Sequence, residues 1–378
     1  MIEANTFVTA AKERGFGLFA GVPCSYLTPF INHVISDENV RYVVAANEGD
    51  AVAIAAGAEL GGTRAIAMFQ NSGLGNAVSP LTSLTYVFQI PVLVITTLRG
   101  EPGGATDEPQ HALMGKITTG LLEMMQIPWE YFPTEEALIA STLDRALTYM
   151  NRTRRPYALV MRKGTVRPSP LNARLETKPL LQQTFARAQA THKRFDFLQS
   201  IQSQLRRGDS VIATTGYTGR ELFACSDRSN QLYMVGSMGC ASSLGLGVAL
   251  ARPKNRIIVI DGDGAALMRL GAMTTIGYER PPNMVHILLD NHVHESTGSQ
   301  STVSQSIDFC ALAAACGYPR VARIADPGDL ADALTQAPAE LSFYHVPTVP
   351  GVNENLGRPT VTPAEVAERF RNYSEPDR

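Results

Sequence analysis

The chain has 378 residues, 44% of them apolar and 18% charged, with a formal net charge of −2. That length exceeds a usual single domain, so two packed domains, each with its own core, are expected. The near-neutral balance lacks the basic excess that nucleic acid or an anionic membrane surface demands, and neither partner is expected.

Segment Glu3 to Arg14 carries four charges and no apolar stretch of the signal-peptide kind. The longest apolar run, Ile90 to Leu98, is too short to span a bilayer, so the expected location is the cytoplasm. Five cysteines, Cys24, Cys225, Cys240, Cys310 and Cys316, include no C-x-x-C pair and are odd in number, which points to reduced thiols.

From Gly17 onward, short β-branched runs alternate with amphipathic or Ala-rich segments. GLFAGV is followed by a helix near Ser25 to Ile35, then VRYVVAA, a helix over Gly49 to Leu60, and RAIAMF. The series continues through IPVLVITTL (90–98), a helix around Thr134 to Met150 and YALVMR (157–162). This is the βαβ rhythm of a parallel sheet covered on both faces. Residues 163–190 hold three prolines, mixed charge and no clear strand. A linker is expected at 169–190, between domains spanning 1–168 and 191–378.

The second series runs helix 191–207, DSVIAT, helix 219–225, QLYMVG, helix 240–250, RIIVID, helix 265–276, MVHILLD, helix 307–316 and further αβ units to FYHV. Long loops at 99–111 and 290–306 interrupt the pattern, and such loops in a compact α/β protein are usually functional. The expected fold class is therefore α/β, with two doubly wound parallel-sheet domains.

RIIVI runs into Asp261-Gly262-Asp263-Gly264 and then a helix, placing Asp263 at the carboxyl end of a strand, where open α/β sheets bind ligands. Gly262 and Gly264 let backbone amides approach a phosphate, and the helix dipole favours its charge. One strand later, MVHILLD opens into Asn291-His292-Val293, so a second oxygen donor emerges at the same sheet edge. Few protein oxygens plus phosphates is the usual Mg²⁺ arrangement. A tight turn with a solvated Asp263 is the alternative. In the first half, VRYVVAA leads into Asn47-Glu48-Gly49-Asp50 and an Ala-rich helix, where Glu48 suits a helix dipole if it has no other task.

These motifs resemble the thiamine-diphosphate enzymes, in which G-D-G is followed about one βα unit later by N or NN. The match is Gly262-Asp263-Gly264 and Asp290-Asn291, with Asp290 in place of the first Asn of the double form. The resemblance implies Mg²⁺ held by Asp263, Asn291 and the backbone oxygen of Val293. It implies a diphosphate beside Gly262, Gly264 and Ala265, with further contacts from the TTGYTG loop through Thr215 and Tyr217 or Thr218. Glu48 would hydrogen-bond N1′ of the aminopyrimidine and so activate the cofactor. Met238 would prop the two cofactor rings in a V, with the carbonyl of Gly236 accepting from the 4′-amino group; simple core filling is the alternative role for Met238. The first domain would be pyrimidine-binding and the second diphosphate-binding, with no middle domain. Because that family builds each site from the two domain types of different subunits, a homo-oligomer with active sites between subunits is implied.

GVPCSYLTPF, NEGDAVAIAAG, FQNSGLGNAV, GEPGGATDEPQH, TTGYTGRELF, LLDNHVHESTG and LGRPTVTP are similar to the phosphonopyruvate decarboxylases over nearly the whole chain. The sulfopyruvate decarboxylases, usually split into two subunits corresponding to these halves, are close relatives of that family. The unsplit chain favours 3-phosphonopyruvate, converted to phosphonoacetaldehyde and CO₂ in phosphonate biosynthesis; sulfopyruvate or another small 2-oxo acid is the alternative. A phosphonate pocket needs donors and positive charge. Candidates are Ser25, Asn71, Ser72 and His111, while Asp107, Glu108 and His111 are candidates for the proton step. His292 and His294 flank the metal segment, as substrate contacts or supports.

Two rivals are weaker. A nicotinamide-dependent dehydrogenase would use Gly73-Leu74-Gly75, but Val78 occupies the third glycine position and no acid closes the next strand. A non-catalytic subunit of the same fold would not need Glu48, Asp263 and Asn291 together.

Overall fold

The computed structural model describes residues 1–104, 106–172, 180, 182–336, 339–352 and 356–373. The chain divides into two compact units, Met1–Glu176 and Thr177–Arg378. In the first, strands β1 (Phe16–Gly21), β2 (Arg41–Val44), β3 (Arg64–Phe69), β4 (Leu93–Thr97), β5 (Trp129–Tyr131) and β6 (Tyr157–Met161) form one sheet. Its order is β2-β1-β3-β4-β6-β5, with every pairing parallel. Helices α1 (Ala4–Lys12), α2 (Thr28–Ser36), α3 (Glu48–Leu60), α4 (Leu74–Pro80), α5 (Tyr86–Phe88), α6 (Ala112–Met124) and α7 (Ile139–Thr153) complete the unit.

The second unit repeats the plan with β7 (Ser210–Ala213), β8 (Gln231–Tyr233), β9 (Ile257–Gly262), β10 (Met284–Asp290), a hairpin of β11 (Val293–His294) and β12 (Gln300–Ser301), then β13 (Arg320–Arg323) and β14 (Ser342–Pro347). The main sheet runs β13-β14-β10-β9-β7-β8, again wholly parallel. Its helices are α8 (Arg194–Ser203), α9 (Tyr217–Cys225), α10 (Ala241–Ala251), α11 (Asp263–Met268), α12 (Ala272–Glu279), α13 (Phe309–Ala315), α14 (Pro327–Thr335) and α15 (Pro363–Tyr373).

Strand order sets the sites. In the first unit the winding reverses between β1 and β3, and in the second between β7 and β9. Chains leaving the carboxyl ends of strands at a reversal diverge and open a crevice, where such sheets bind ligands. One long helix in each unit packs nearly all its residues inside: α3 (EGDAVAIAAGAEL) and α10 (ASSLGLGVALA). Small side chains let these helices approach the sheet closely; a Cβ on Gly245 would fall 2.2 Å from Val259 Cγ2. The side chain of Asn47 accepts the Asp50 amide and fixes where α3 begins, and therefore where Glu48 emerges.

The structure departs from the sequence pattern in several places. The helix expected over 265–276 is two helices, broken at Arg269–Gly271, and that expected over 191–207 spans only Arg194–Ser203. The Gly73–Gly75 turn opens into α4, which continues through a π-helical stretch, Leu81–Thr85, into α5. Strand β5 and helices α6 and α15 were not anticipated: α6 carries two glycines and a β-branched run, and α15 follows a proline-marked loop. No helix among the described residues is long and apolar enough to cross a membrane.

Close backbone packing makes a direct test. A Cβ on Gly277 would lie 1.9 Å from the Cys316 carbonyl, whereas one on Gly120 meets nothing within 4 Å. Gly277→Ala should therefore destabilise by about 1–3 kcal/mol in urea unfolding. Gly120→Ala, in the open interior of α6, should be neutral or stabilising by up to about 1 kcal/mol.

Candidate active site

In the second unit the carboxyl ends of β7, β9 and β10 converge on one pocket. The segments after β7 and β8 contribute Thr215, Tyr217 and Met238 to its lining, the end of β9 and the start of α11 Gly262, Asp263, Gly264 and Ala265, and the segment after β10 Asn291, Val293 and His294. Gly216 takes φ +95°, a left-handed conformation that turns the Thr214–Gly216 loop into α9. Gly264 lies under the His294 ring, whose Cε1 would be 2.5 Å from an added Cβ. Gly236 is on the same β8 exit loop as Met238 but is not part of the pocket wall.

Asp263 is buried, and Thr302 Oγ1 donates to its Oδ2 at 2.6 Å. Burial pushes its carboxyl above the ordinary range, and the nearby charge of Asp290 adds to the effect. Among the described residues no ion pair reaches Asp263. Asp290 is different: burial opposes its ionisation, yet bonds with His345 and Ser304 and the contact with His292 hold it below the ordinary range. Asn291 is buried, and its Oδ1 accepts the Val293 amide at 3.2 Å. The peptide between them turns at His292, φ +62°, held by its own amide bond to Asp290.

In the first unit, Glu48 Oε2 accepts from Asn76 Nδ2 at 2.8 Å. Its other side is pressed against Gly73, where a Cβ would fall 2.0 Å from Glu48 Oε1. The glycine of the Gly73–Gly75 turn is thus explained by the glutamate and not by a dinucleotide.

The remaining first-unit candidates separate. Ser25 Oγ accepts from Arg99 Nη1 at 3.3 Å, and Ser72 Oγ accepts from Gln70 Nε2 at 2.6 Å; both are exposed. Asn71, expected to bind substrate, is fully buried. Its NH₂ donates to the Arg99 carbonyl and Thr118 and its oxygen accepts the Arg99 amide, so both ends of the side chain brace the 99–111 loop from within the core. Asp107, expected to move a proton, is ion-paired with Arg99 and also accepts from Tyr26 and from the Gly100 and Glu108 amides. The Arg99 guanidinium, ahead of the other donors, holds its carboxyl well below the usual range, which suits an anchor and not an acid. Glu108 is exposed; His111 is buried, and its Nδ1 has no partner among the described residues.

Sequence reasoning missed Arg99, although it stands directly after the apolar strand run, at a carboxyl end. Its guanidinium lies 5.0 Å from the Tyr26 ring centroid and bridges Ser25 to Asp107. It also missed Glu295 and Arg194, which share the second-unit pocket.

Two family models match the chain: the N-terminal TPP binding domain of thiamine pyrophosphate enzymes over residues 3–118, and the C-terminal TPP binding domain over 215–346. A phosphonopyruvate decarboxylase of Streptomyces viridochromogenes is 46% identical, covering 99% of this chain and 95% of the relative. The chain belongs to the thiamine-diphosphate-dependent enzyme family. A sulfopyruvate decarboxylase of Methanosarcina acetivorans is 32% identical, covering 95% and 94% of the two chains. The solved thiamine diphosphate-dependent 4-hydroxybenzoylformate decarboxylase of Rhodococcus jostii RHA1 has the same fold, with TM-score 0.61 at 15% identity and coverage of 92% and 99%.

Both halves suit the thiamine diphosphate and Mg²⁺ of this family. The second unit offers a buried carboxylate that no ion pair reaches among the described residues, a carboxamide oxygen one strand away, and a glycine-bordered turn onto helix α9. The first offers a carboxylate fixed by one amide donor and one glycine.

The Asp107 anchor carries a pH signature. Its depressed pKa means that its stabilisation is complete above the unfolded value, about 4, and is lost as pH falls through the folded value. Asp107→Asn should therefore be less stable than the parent at pH 7, with the gap closing progressively below about pH 4 in urea titrations.

Proposed function

We propose that this enzyme decarboxylates 3-phosphonopyruvate to phosphonoacetaldehyde and CO₂. The reading rests chiefly on one observation: similarity at 46% identity to a phosphonopyruvate decarboxylase covers 99% of this chain and so runs through both units. Sulfopyruvate is the second reading, supported by the 32% identical relative.

Asp263 and Asn291, with the Val293 carbonyl, would hold Mg²⁺, and Thr215, Tyr217, Gly262, Gly264 and Ala265 would surround the diphosphate. Met238 would support the bent cofactor, and Gly236 would accept from its 4′-amino group. When bound, the cofactor supplies a nucleophile for the 2-oxo carbon and a sink for the electrons released with CO₂. Glu48 presents a carboxyl oxygen that can hold a proton at pyrimidine N1′, and Asn76 and Gly73 keep it from swinging away.

Arg99 and Ser25 would meet the dianionic end of the substrate: Asp107 fixes the guanidinium, and the hydroxyl adds a donor beside it. His294, over Gly264, faces the same pocket as the metal donors. Ser72, Glu108 and His111 remain candidates for the substrate side and the proton return. Since Glu48 and Met238 belong to different units, we further propose a homo-oligomer whose sites combine the two unit types of different copies. Mixing Glu48→Gln and Asp263→Ala proteins should then restore activity.

Glu48→Gln should keep cofactor binding and lose about 10²–10⁴-fold in kcat. Asp263→Ala should lose Mg²⁺-dependent cofactor binding in calorimetry. Comparing kcat/KM for phosphonopyruvate, sulfopyruvate and pyruvate decides the substrate: phosphonopyruvate should lead. Arg99→Met should lower its value roughly 10–100-fold, with little effect on pyruvate. Equal rates on all three acids would overturn the phosphonate reading.

A further inference from the structure

Glu295 is outside the ligand set proposed above, yet it touches a member of it. Its Oε2 accepts from Asn291 Nδ2 at 3.2 Å and from Arg194 Nη1 at 2.9 Å, and its Oε1 accepts the Gly351 amide. Arg194 is itself buried and gives its Nε to the fully buried Glu221 at 2.6 Å. Three separate parts of the unit therefore meet at one carboxylate: α8, the segment after β10, and the loop after β14.

An asparagine amide has two orientations of nearly equal shape, and its partners decide between them. The two Glu295 oxygens already face Arg194 and a peptide N–H, both obligate donors, so Glu295 serves as a pure acceptor. The group that Asn291 turns toward it must be the NH₂. Oδ1 then points the other way, where it accepts the Val293 amide and keeps a second lone pair. We infer that Glu295 is a positioning residue for the metal: clamped by Arg194, it sets the Asn291 carboxamide with its oxygen toward Mg²⁺.

Partners that orient metal ligands typically contribute 10–100-fold in metal affinity. A glutamine at 295 would have the same shape, but one end of its amide must present N–H to a donor, either to Gly351 or to Asn291 and Arg194. An aspartate would keep the charge and withdraw it from Asn291.

The inference rests on the assignment of Asp263 and Asn291 to the metal and is independent of the substrate. Mg²⁺ is titrated by calorimetry into the full-length protein with saturating thiamine diphosphate, and thermal unfolding is followed without either. Glu295→Gln should raise the Mg²⁺ Kd about 10–100-fold while the Tm of the cofactor-free protein shifts by only a few degrees. Glu295→Asp should show an intermediate rise, and it decides the matter if the glutamine variant does not fold. An unchanged Kd in a folded variant, even with a lowered Tm, would reduce Glu295 to a loop staple and overturn the inference. Asp263→Ala is the control: if it binds Mg²⁺ as the parent does, the metal assignment itself fails. If it loses Mg²⁺ while the Glu295 variants do not, only the positioning role fails.

Discussion

A carboxylate buried without a counter-charge is among the most costly groups a protein can carry, and among the described residues no cation pairs with Asp263. Hydrogen bonds from Thr302, the Gly264 amide and Ser304 offset only part of that cost. A divalent cation held there, as proposed, would remove the remainder, so that folding of this edge and metal binding would be coupled. The surroundings follow from that need. Gly262 and Gly264 keep side chains off the approach, His294 closes over Gly264, and the β11–β12 hairpin brings Thr302 back to the carboxylate.

The first unit solves a different problem with the same sheet plan. Glu48 is held in one orientation by the Asn76 amide donor and by Gly73, which leaves no lateral space. The loop that would meet substrate is fixed more heavily. Asn71 holds it at both the amide and the carbonyl of Arg99, and Asp107 gathers Arg99, Tyr26 and two peptide amides. Gly115 lies against Gly100, leaving no room for a Cβ, which seats α6 directly on the loop's first turn. Rigidity here is paid for with polar groups that could otherwise have touched a ligand.

This accounts for what was legible in the sequence. Strand runs and the G-D-G turn are local signals, governed by periodicity and by glycine's backbone freedom, and they located the sheets and Asp263. Asn291 was legible as a neighbour because it follows β10, the next strand of the main sheet, which pairs with β9. Asn71 and Asp107 look like ligands in a sequence, the one a polar residue just past a strand end and the other in a long loop. Whether such a residue faces a substrate or braces a loop also depends on distant partners: Thr97 and Thr118, 26 and 47 residues from Asn71, and Tyr26, 81 residues from Asp107. The same separation hid Glu295, whose importance comes from Arg194, 101 residues earlier.

Asp290 shows how a departure from a family pattern can be structurally consistent. Its Oδ1 accepts the His292 amide at 3.1 Å and the Ser304 hydroxyl at 2.9 Å, and its Oδ2 contacts His345 Nε2 at 3.0 Å. Arg323 Nε can only donate, so His345 Nδ1 accepts from it at 3.0 Å and the ring proton sits on Nε2, aimed at Asp290. Donors thus converge on both oxygens of this side chain. An asparagine would have to turn its NH₂ toward one of them, leaving two donors face to face in a buried site. The aspartate is the residue that these neighbours require, and it stiffens the turn at His292 from which Asn291 is presented.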